Sequence, residues 1–171
     1  MKNEKAFFFD RDGTLIKDTH FLSSLDKVEI LPGVIELCRT IQAANFKLIV
    51  VSNQSGVARG FFDEEFVCCT HKYLSEIFAK QGVFFDKFYF CPHHPEGKIK
   101  QYRCTCSCRK PAPGMLIEAA NEFNLDLKKS FMVGDKDLDL QVGIAAGCRS
   151  FNINELLSLS NESLVRLLKD S

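Results

Sequence analysis

Close to its N-terminus the chain reads Phe7-Phe8-Phe9-Asp10-Arg11-Asp12-Gly13-Thr14-Leu15. The apolar run is typical of a strand covered on both faces, which predicts a parallel sheet between layers of helices. It ends in two carboxylates one residue apart, followed by a glycine. Ligand sites in open α/β sheets lie beyond the carboxyl ends of the strands, where Asp10 and Asp12 would project. Such a pair can bind Mg²⁺, attack a substrate or move a proton, and the competing interpretation is a solvated Asp-Gly turn.

The composition is that of a globular protein with no polyanionic partner. The 171 residues suffice for one domain, predicted to span residues 1–171, and 46% of them are hydrophobic. Lys+Arg and Asp+Glu both number 22, so the sequence indicates neither nucleic acid nor a membrane surface as a partner. The apolar stretches are too short to span a bilayer, and residues 1–5 contain no secretory h-region. We therefore expect a cytoplasmic protein, and a monomer.

Strand and helix patterns alternate along the chain. Predicted strands cover residues 6–9, 46–51, 88–91, 131–133 and 150–153, and predicted helices cover 32–44, 63–82, 113–123, a segment ending near 146, and 163–169. Repeated βα units predict an α/β fold with an open parallel sheet and helices on both faces. The segments between the strands are too short for a large cap domain.

Three further polar segments lie at the predicted strand ends or before a helix. The stretch Ser52-Asn-Gln-Ser-Gly-Val-Ala-Arg-Gly60 offers a hydroxyl, free amides and an arginine that can hold phosphate oxygens. Arg109-Lys110 precedes a helix, and Gly134-Asp135-Lys136 adds a carboxylate, with Asp139 four residues further on the same helical face. Each segment alone is also typical of an ordinary polar loop with no ligand. Together they predict a site for Mg²⁺ and phosphate at one edge of the sheet.

Four of the eight cysteines cluster in one loop. Cys91-Pro-His93 and Cys106-Ser-Cys108 supply three thiolates and an imidazole, a ligand set that suits tetrahedral structural zinc. Cys104 and His94 are neighbouring alternatives as ligands. Reduced cysteines without a metal are the competing interpretation.

The motif order resembles that of a known superfamily. Asp10-Arg-Asp-Gly-Thr14, Ser52, Lys110 and Gly134-Asp135 are similar to the four motifs of the haloacid dehalogenase superfamily of aspartate-nucleophile phosphatases. Within its histidinol-phosphatase-like subfamily, three stretches look like those of the heptose bisphosphate phosphatases: residues 52–60, 91–95 and 108–116. The similarity runs from about Ala6 to Gly147. It implies a capless, Rossmann-like fold with a zinc-pinned loop.

The resemblance also implies an activity. The chain would release the 7-phosphate of D-glycero-D-manno-heptose 1,7-bisphosphate, a step in the biosynthesis of nucleotide-activated heptose for lipopolysaccharide. Asp10 would be the nucleophile that forms an aspartyl-phosphate, and Asp12 would transfer the protons. Ser52 and Lys110 would stabilise the transferring phosphoryl group, and Mg²⁺ would be held by Asp10, the backbone carbonyl of Asp12, and Asp135. The implied zinc ligands are Cys91, His93, Cys106 and Cys108. The implied sugar-bisphosphate contacts are Asp18, Thr19, His20, Phe21, Asn53, Gln54, Ser55, Arg59, Arg109 and Lys136.

Two alternative functions remain open. Histidinol-phosphate phosphatases share these motifs and the zinc loop, but the stretch 55–59 and the long segment 95–105 favour the heptose enzymes. A catalytically inactive, zinc-binding scaffold is the alternative from another class. It would require a broken site, whereas the implied catalytic and magnesium-binding residues are all present: Asp10, Asp12, Ser52, Lys110 and Asp135.

Overall fold

The computed structural model describes residues 4–170 and contains a five-stranded parallel sheet. Its strands are β1 (Ala6–Phe9), β2 (Lys47–Asn53), β3 (Lys87–Cys91), β4 (Phe131–Gly134) and β5 (Arg149–Asn152). The order across the sheet is β3-β2-β1-β4-β5, and every neighbouring pair is parallel. The predicted open parallel sheet is confirmed, with the strand that precedes Asp10 at its centre.

Seven α-helices lie among the described residues. They are α1 (Val34–Ala43), α2 (Gly56–Arg59), α3 (Glu64–Ala79), α4 (Gly114–Phe123), α5 (Asp137–Ala146), α6 (Ile153–Ser158) and α7 (Asn161–Lys169). The sequence did not predict α2 and α6, because four and six residues are too few to establish a helical period. Within residues 4–170 each connection between consecutive strands contains one or two helices, with short 3₁₀ turns and loops, and there is no second sheet. No helix in this range is long and apolar enough to cross a membrane.

Alternation along β1 divides the core into two layers. Phe7 and Phe9 point to one face, where they pack with side chains of α1, α3, α6 and α7. Ala6 and Phe8 point to the other face, where α4 and α5 cover them. All four side chains are fully buried, as a central parallel strand requires. Burying each phenylalanine stabilises the fold by roughly 2–3 kcal/mol, so β1 is anchored firmly beneath the site.

Several predicted boundaries differ from the structure by one to three residues, and two of the differences concern the predicted site. β2 continues to Asn53, so Ser52 and Asn53 belong to the strand and do not follow it. α5 begins at Asp137, so the prediction that Asp135 and Asp139 share a helical face is wrong. Asp139 instead accepts a hydrogen bond from the backbone N–H of Lys136, the N-cap of α5, and thereby fixes the start of the helix.

Candidate active site

The carboxyl ends of β1, β2 and β4 meet at one edge of the sheet. Asp10 directly follows β1, Ser52 lies near the end of β2, and Asp135 directly follows β4. A cleft of about 240 Å³ opens there. The residues that line it are Asp10, Arg11, Asp12, Asp18, His20, Phe21, Leu22, Asn53, Gln54, Ser55, Arg109, Lys110, Lys136, Leu138 and Asp139. Most of the sequence-predicted site residues therefore share one cleft; Ser52, Asp135, Thr19 and Arg59 are not among the lining residues.

Lys110 is the buried cation of the cleft. Its Nζ lies 2.6 Å from Asp10 Oδ1 and 2.6 Å from Asp139 Oδ1, and it also donates to the backbone carbonyl of Val51 at 3.0 Å. Asn53 holds the backbone of Lys110 from both sides, because its amide donates to the Lys110 carbonyl and its Oδ1 accepts from the Lys110 N–H. Sequence reasoning did not identify Asp139 as a partner of Lys110, since the two are joined only by folding.

Burial and neighbouring charges have opposite effects on the pKa values of Asp10 and Lys110. Burial is the largest influence on Asp10 and raises its pKa to about 6, while Lys110 acts in the opposite direction. Burial also disfavours the ammonium form of Lys110, but the carboxylates of Asp10 and Asp139 outweigh that effect and its pKa is raised. One lysine thus faces two buried carboxylates, which leaves an excess of negative charge.

The residues at this edge fit a divalent cation. Carboxylate oxygens of Asp10, Asp135 and Asp139 all lie within 4.8 Å of one another. Asp135 Oδ1 is buried without a hydrogen-bond partner, and burial raises the pKa of this carboxyl. Asp139 already accepts from Lys110 and from the Lys136 N–H, so Asp10 and Asp135 are the better ligands. Oxygen ligands of this kind suit Mg²⁺.

Gly13 makes the approach of Asp135 to the first motif possible. Its φ is +87°, a conformation that favours glycine, and a Cβ there would lie 2.3 Å from Asp135 Oδ2. Any side chain at this position would displace the carboxylate. The glycine of the first motif therefore shapes the cation site as well as the turn.

A second buried network orients Asp12. Arg11, only 2% exposed, donates from Nε and NH2 to the two carboxylate oxygens of Asp12, and from NH2 to Gln54 Oε1. The Gln54 amide in turn donates to Asp12 Oδ2 at 3.0 Å and to Ser52 Oγ at 2.6 Å. Bidentate arginine–carboxylate pairs fix orientation as well as charge. Arg11 is a site residue that sequence reasoning missed, because its position between two acids does not reveal that it folds back onto one of them.

The segment after the first motif forms one wall of the cleft. Asp18 accepts from Lys136 Nζ at 2.9 Å and from the backbone N–H of His20. His20 and Phe21 both adopt positive φ, at 50° and 72°. Phe21 is 44% exposed and packs edge-on against Phe61, with ring centroids 4.8 Å apart. An exposed aromatic pair therefore stands at the rim, and Phe61 was not predicted from the sequence.

The four predicted zinc ligands converge. The Cys91 Sγ lies 3.5 Å from Cys106 Sγ and 3.0 Å from Cys108 Sγ, and His93 Nδ1 lies 3.5–3.6 Å from Cys108 and Cys91. These separations are shorter than the edges of about 3.8 Å expected for a tetrahedron with Zn–S bonds of about 2.3 Å, so the four ligand atoms converge on one point and would move slightly apart around an ion. All the cysteines are free thiols. The cluster can therefore hold a metal.

The two alternative ligands lie outside this cluster. Cys104 is exposed. The His94 ring contacts Arg59 and the backbone of Glu96, and slight burial with the charges of Arg109 and Arg59 lowers its pKa. Arg109 donates to the backbone carbonyl of His93 at 3.2 Å, which ties the cleft to the cysteine-rich loop.

The chain is similar to a set of known proteins that all point to one family. A family model described as HAD-hydrolase-like matches residues 107–154. The chain is 45% identical over 141 residues to the D-glycero-β-D-manno-heptose-1,7-bisphosphate 7-phosphatase of Yersinia pestis, which covers 82% of this chain and 75% of the relative. It is 41% identical over 145 residues to the protein of the same name from Escherichia coli K12, which covers 85% and 76%.

Solved structures agree with the sequence relatives. The D,D-heptose 1,7-bisphosphate phosphatase from B. bronchiseptica, complexed with magnesium and phosphate, matches with a TM-score of 0.80 and 29% identity. The match covers 98% of this chain and 99% of that one. The fold is thus shared with that protein over nearly the whole chain.

Proposed function

Since the chain belongs to the D-glycero-β-D-manno-heptose-1,7-bisphosphate 7-phosphatase family of the haloacid dehalogenase superfamily, we propose that it removes the 7-phosphate of this sugar bisphosphate. The observation that most directly supports this proposal is the contact of 2.6 Å between Lys110 Nζ and Asp10 Oδ1 at the end of the central strand. It joins a carboxylate suited to attack phosphorus to a buried cation suited to phosphoryl oxygens. The β anomer is the proposed substrate because the relatives' names specify it.

Asp10 and Asp12 divide the chemistry in this proposal. A carboxylate oxygen of Asp10 forms a bond to the 7-phosphoryl phosphorus as the bond to sugar O7 breaks, and the Asp12 carboxyl gives its proton to O7. Water then attacks the aspartyl-phosphate, its proton goes to Asp12, and Asp10 is released with inorganic phosphate. A covalent intermediate divides one difficult hydrolysis into two easier steps. The network of Arg11 and Gln54 supports the second step, since it orients the ionised Asp12 carboxylate that accepts the proton of the water.

Charge stabilisation is assigned to Ser52 and Lys110. Negative charge spreads over the equatorial phosphoryl oxygens in the transition state, so positioned donors and cations supply most of the catalysis. Mg²⁺, when bound, would be held by Asp10, the Asp12 backbone carbonyl and Asp135, and would neutralise charge on those oxygens. The unpartnered oxygen of Asp135 supports this assignment.

The sugar and its second phosphate are assigned to the remaining lining residues and to Thr19 and Arg59, which do not line the cleft. Lys136 and Arg109 supply positive charge, and the segment that contains Phe21 provides an apolar wall. The proposed substrate contacts are Asp18, Thr19, His20, Phe21, Asn53, Gln54, Ser55, Arg59, Arg109 and Lys136. Binding energy from such remote contacts can orient the reacting phosphate.

Zinc in the cysteine-rich loop is proposed to be structural. Cys91, His93, Cys106 and Cys108 would fill all four positions, which leaves none open for substrate. The last ligand is followed directly by Arg109 and Lys110, so a metal there would order both cations. We further propose one phosphatase domain over residues 1–171, acting as a monomer in nucleotide-activated heptose biosynthesis; a cytoplasmic location stays a prediction.

A substrate panel tests the proposed function. Phosphate release is measured from heptose 1,7-bisphosphate, histidinol phosphate and an aryl phosphate, each with and without Mg²⁺. We expect the highest kcat/KM for the heptose bisphosphate, dependence on Mg²⁺, and a product whose phosphorus NMR spectrum retains the 1-phosphate. Preference for histidinol phosphate would favour the alternative enzyme, and no turnover of any substrate would favour the inactive scaffold.

A further inference from the structure

His94 stands next to a proposed zinc ligand, yet its two ring nitrogens contact other groups. The backbone N–H of Glu96 donates to His94 Nδ1 at 3.1 Å. His94 Nε2 lies 3.1 Å from Arg59 NH2. The zinc-site geometry is complete without this ring, because His93 and three thiols already converge.

At the contact between His94 and Arg59, two hydrogen-bond donors face each other. Since Nδ1 accepts a hydrogen bond, we assign the ring hydrogen of the neutral imidazole to Nε2. Arg59 NH2 is also a donor, and a guanidinium has no acceptor. Two N–H groups therefore face one another across 3.1 Å, an arrangement that an acceptor oxygen would resolve.

Arg59 has a second donor without a partner. Its Nε is buried and has no hydrogen-bond acceptor among residues 4–170. The guanidinium lies 5.9 Å from the centre of the Phe21 ring, which holds it at the rim of the cleft. No salt bridge within the described part of the chain engages Arg59 or Arg109. Both guanidiniums thus keep their charge available for an anion.

The donors connect to the cleft through two lining residues. Arg109 lines the cleft and is tied by its NH1 to the carbonyl of His93, one residue before His94. Phe21 also lines the cleft, and the Arg59 guanidinium lies over the face of its ring. The buried end of the cleft, at Asp10 and Lys110, is occupied by the reacting phosphoryl group in the proposed function.

We propose that His94 and Arg59, with Arg109, bind the phosphate that is not hydrolysed, and that His94 is a specificity-determining residue. The inference rests on the proposed function and deepens it. One phosphate oxygen accepts from both His94 Nε2–H and Arg59, while the guanidiniums match the charge of the dianion. The substrate class selected is a sugar with an anionic phosphate at both ends.

The test compares His94→Leu, which removes the donor, with His94→Gln, which retains an N–H, and with Lys98→Met, an exposed cation of the same loop. Each variant is assayed for zinc content, for kcat/KM on heptose 1,7-bisphosphate and an aryl phosphate, and for inhibition by heptose 1-phosphate. That product carries only the phosphate in question, so its inhibition constant reports the subsite directly.

For His94→Leu we expect full zinc content, a loss of at least about tenfold in kcat/KM for the bisphosphate, and inhibition by heptose 1-phosphate weakened by a similar factor. The aryl phosphate should change by less than about twofold, and His94→Gln should recover part of the loss. Lys98→Met should match the wild type. Equal losses on both substrates, an unchanged inhibition constant, or loss of zinc would overturn the inference. Failure of the wild type to hydrolyse the bisphosphate would instead contradict the proposed function itself.

Discussion

Lys110 Nζ lies 2.6 Å from Asp10 Oδ1, although 100 residues separate the two in the chain. The same ammonium contacts Asp139 at an equal distance, and Lys110 is almost fully buried. Asp139 therefore holds the lysine against Asp10, the proposed nucleophile, and shares its charge. Removing one partner of a buried ion pair leaves an uncompensated charge, which is costly.

Asp139→Asn should lower kcat by about 10- to 100-fold, a loss of about 1.4–2.8 kcal/mol in the activation free energy. The physical reason is that the lysine loses its second carboxylate and no longer stays fixed beside the transferring phosphoryl group. Steady-state kinetics and a Mg²⁺ titration measure the effect. The Mg²⁺ requirement should change little, because both Asp139 oxygens are already used by Lys110 and the Lys136 N–H.

Asp137→Asn is the matched control, since this exposed acid lies on the same helix and has no contact with Lys110. It should retain wild-type kinetics. We expect Asp135→Asn to raise the Mg²⁺ requirement. An equally strong effect of Asp139→Asn would make Asp139 a metal ligand and would contradict the positioning role.

Cys108→Ser should lose zinc and at least about 2 kcal/mol of the free energy of unfolding, a fraction of the roughly 10–16 kcal/mol with which structural zinc binds. Cys104→Ser should keep both, because Cys104 is exposed and outside the four-ligand cluster. Zinc content by mass spectrometry and denaturant unfolding compare the two variants. Equal behaviour of the pair, or wild-type protein purified without zinc, would remove the structural-zinc proposal.

The sequence predicted the layers and most of the site, because both depend on local patterns. The apolar run 7–9 indicated a central strand, and the polar residues after it indicated the ligand edge. The contacts that position those residues were not predictable: Arg11 folds onto Asp12, Asp139 binds Lys110, and Phe61 packs on Phe21. Each joins segments through the tertiary fold, for which residue type and spacing give no signal.

His71 should make the protein sensitive to acid. Its ring stacks on Phe88, Nε2 is buried without a partner, and burial, aided by the charge of Arg11, lowers its pKa to about 3 from the ordinary 6.5. Between these values the unfolded chain binds a proton that the folded protein excludes. The free energy of unfolding therefore falls as pH decreases through this window, by at most about 1.4 kcal/mol per pH unit.

His71→Phe should accordingly flatten the dependence of Tm on pH between about 6.5 and 4.5. The slope is the readout, because repacking can change the absolute Tm in either direction. His20→Asn, which replaces an exposed histidine at positive φ with a residue that tolerates that conformation, should leave the slope unchanged. A His71→Phe slope equal to that of the wild type would mean that His71 is not the buried neutral group described here.

The covalent role of Asp10 is the central claim, and acid-quenched mass spectrometry tests it most directly. Asp12→Asn enzyme is mixed with heptose 1,7-bisphosphate and Mg²⁺, quenched during turnover, and digested for peptide mapping. Because Asp12 is also proposed to activate the water that hydrolyses the intermediate, its loss should allow the phosphoenzyme to accumulate. We predict one added phosphoryl group on the peptide that contains Asp10, and none when Asp10 is also replaced by Asn. A phosphoryl group on any other residue, or one that persists in the double variant, would contradict the account.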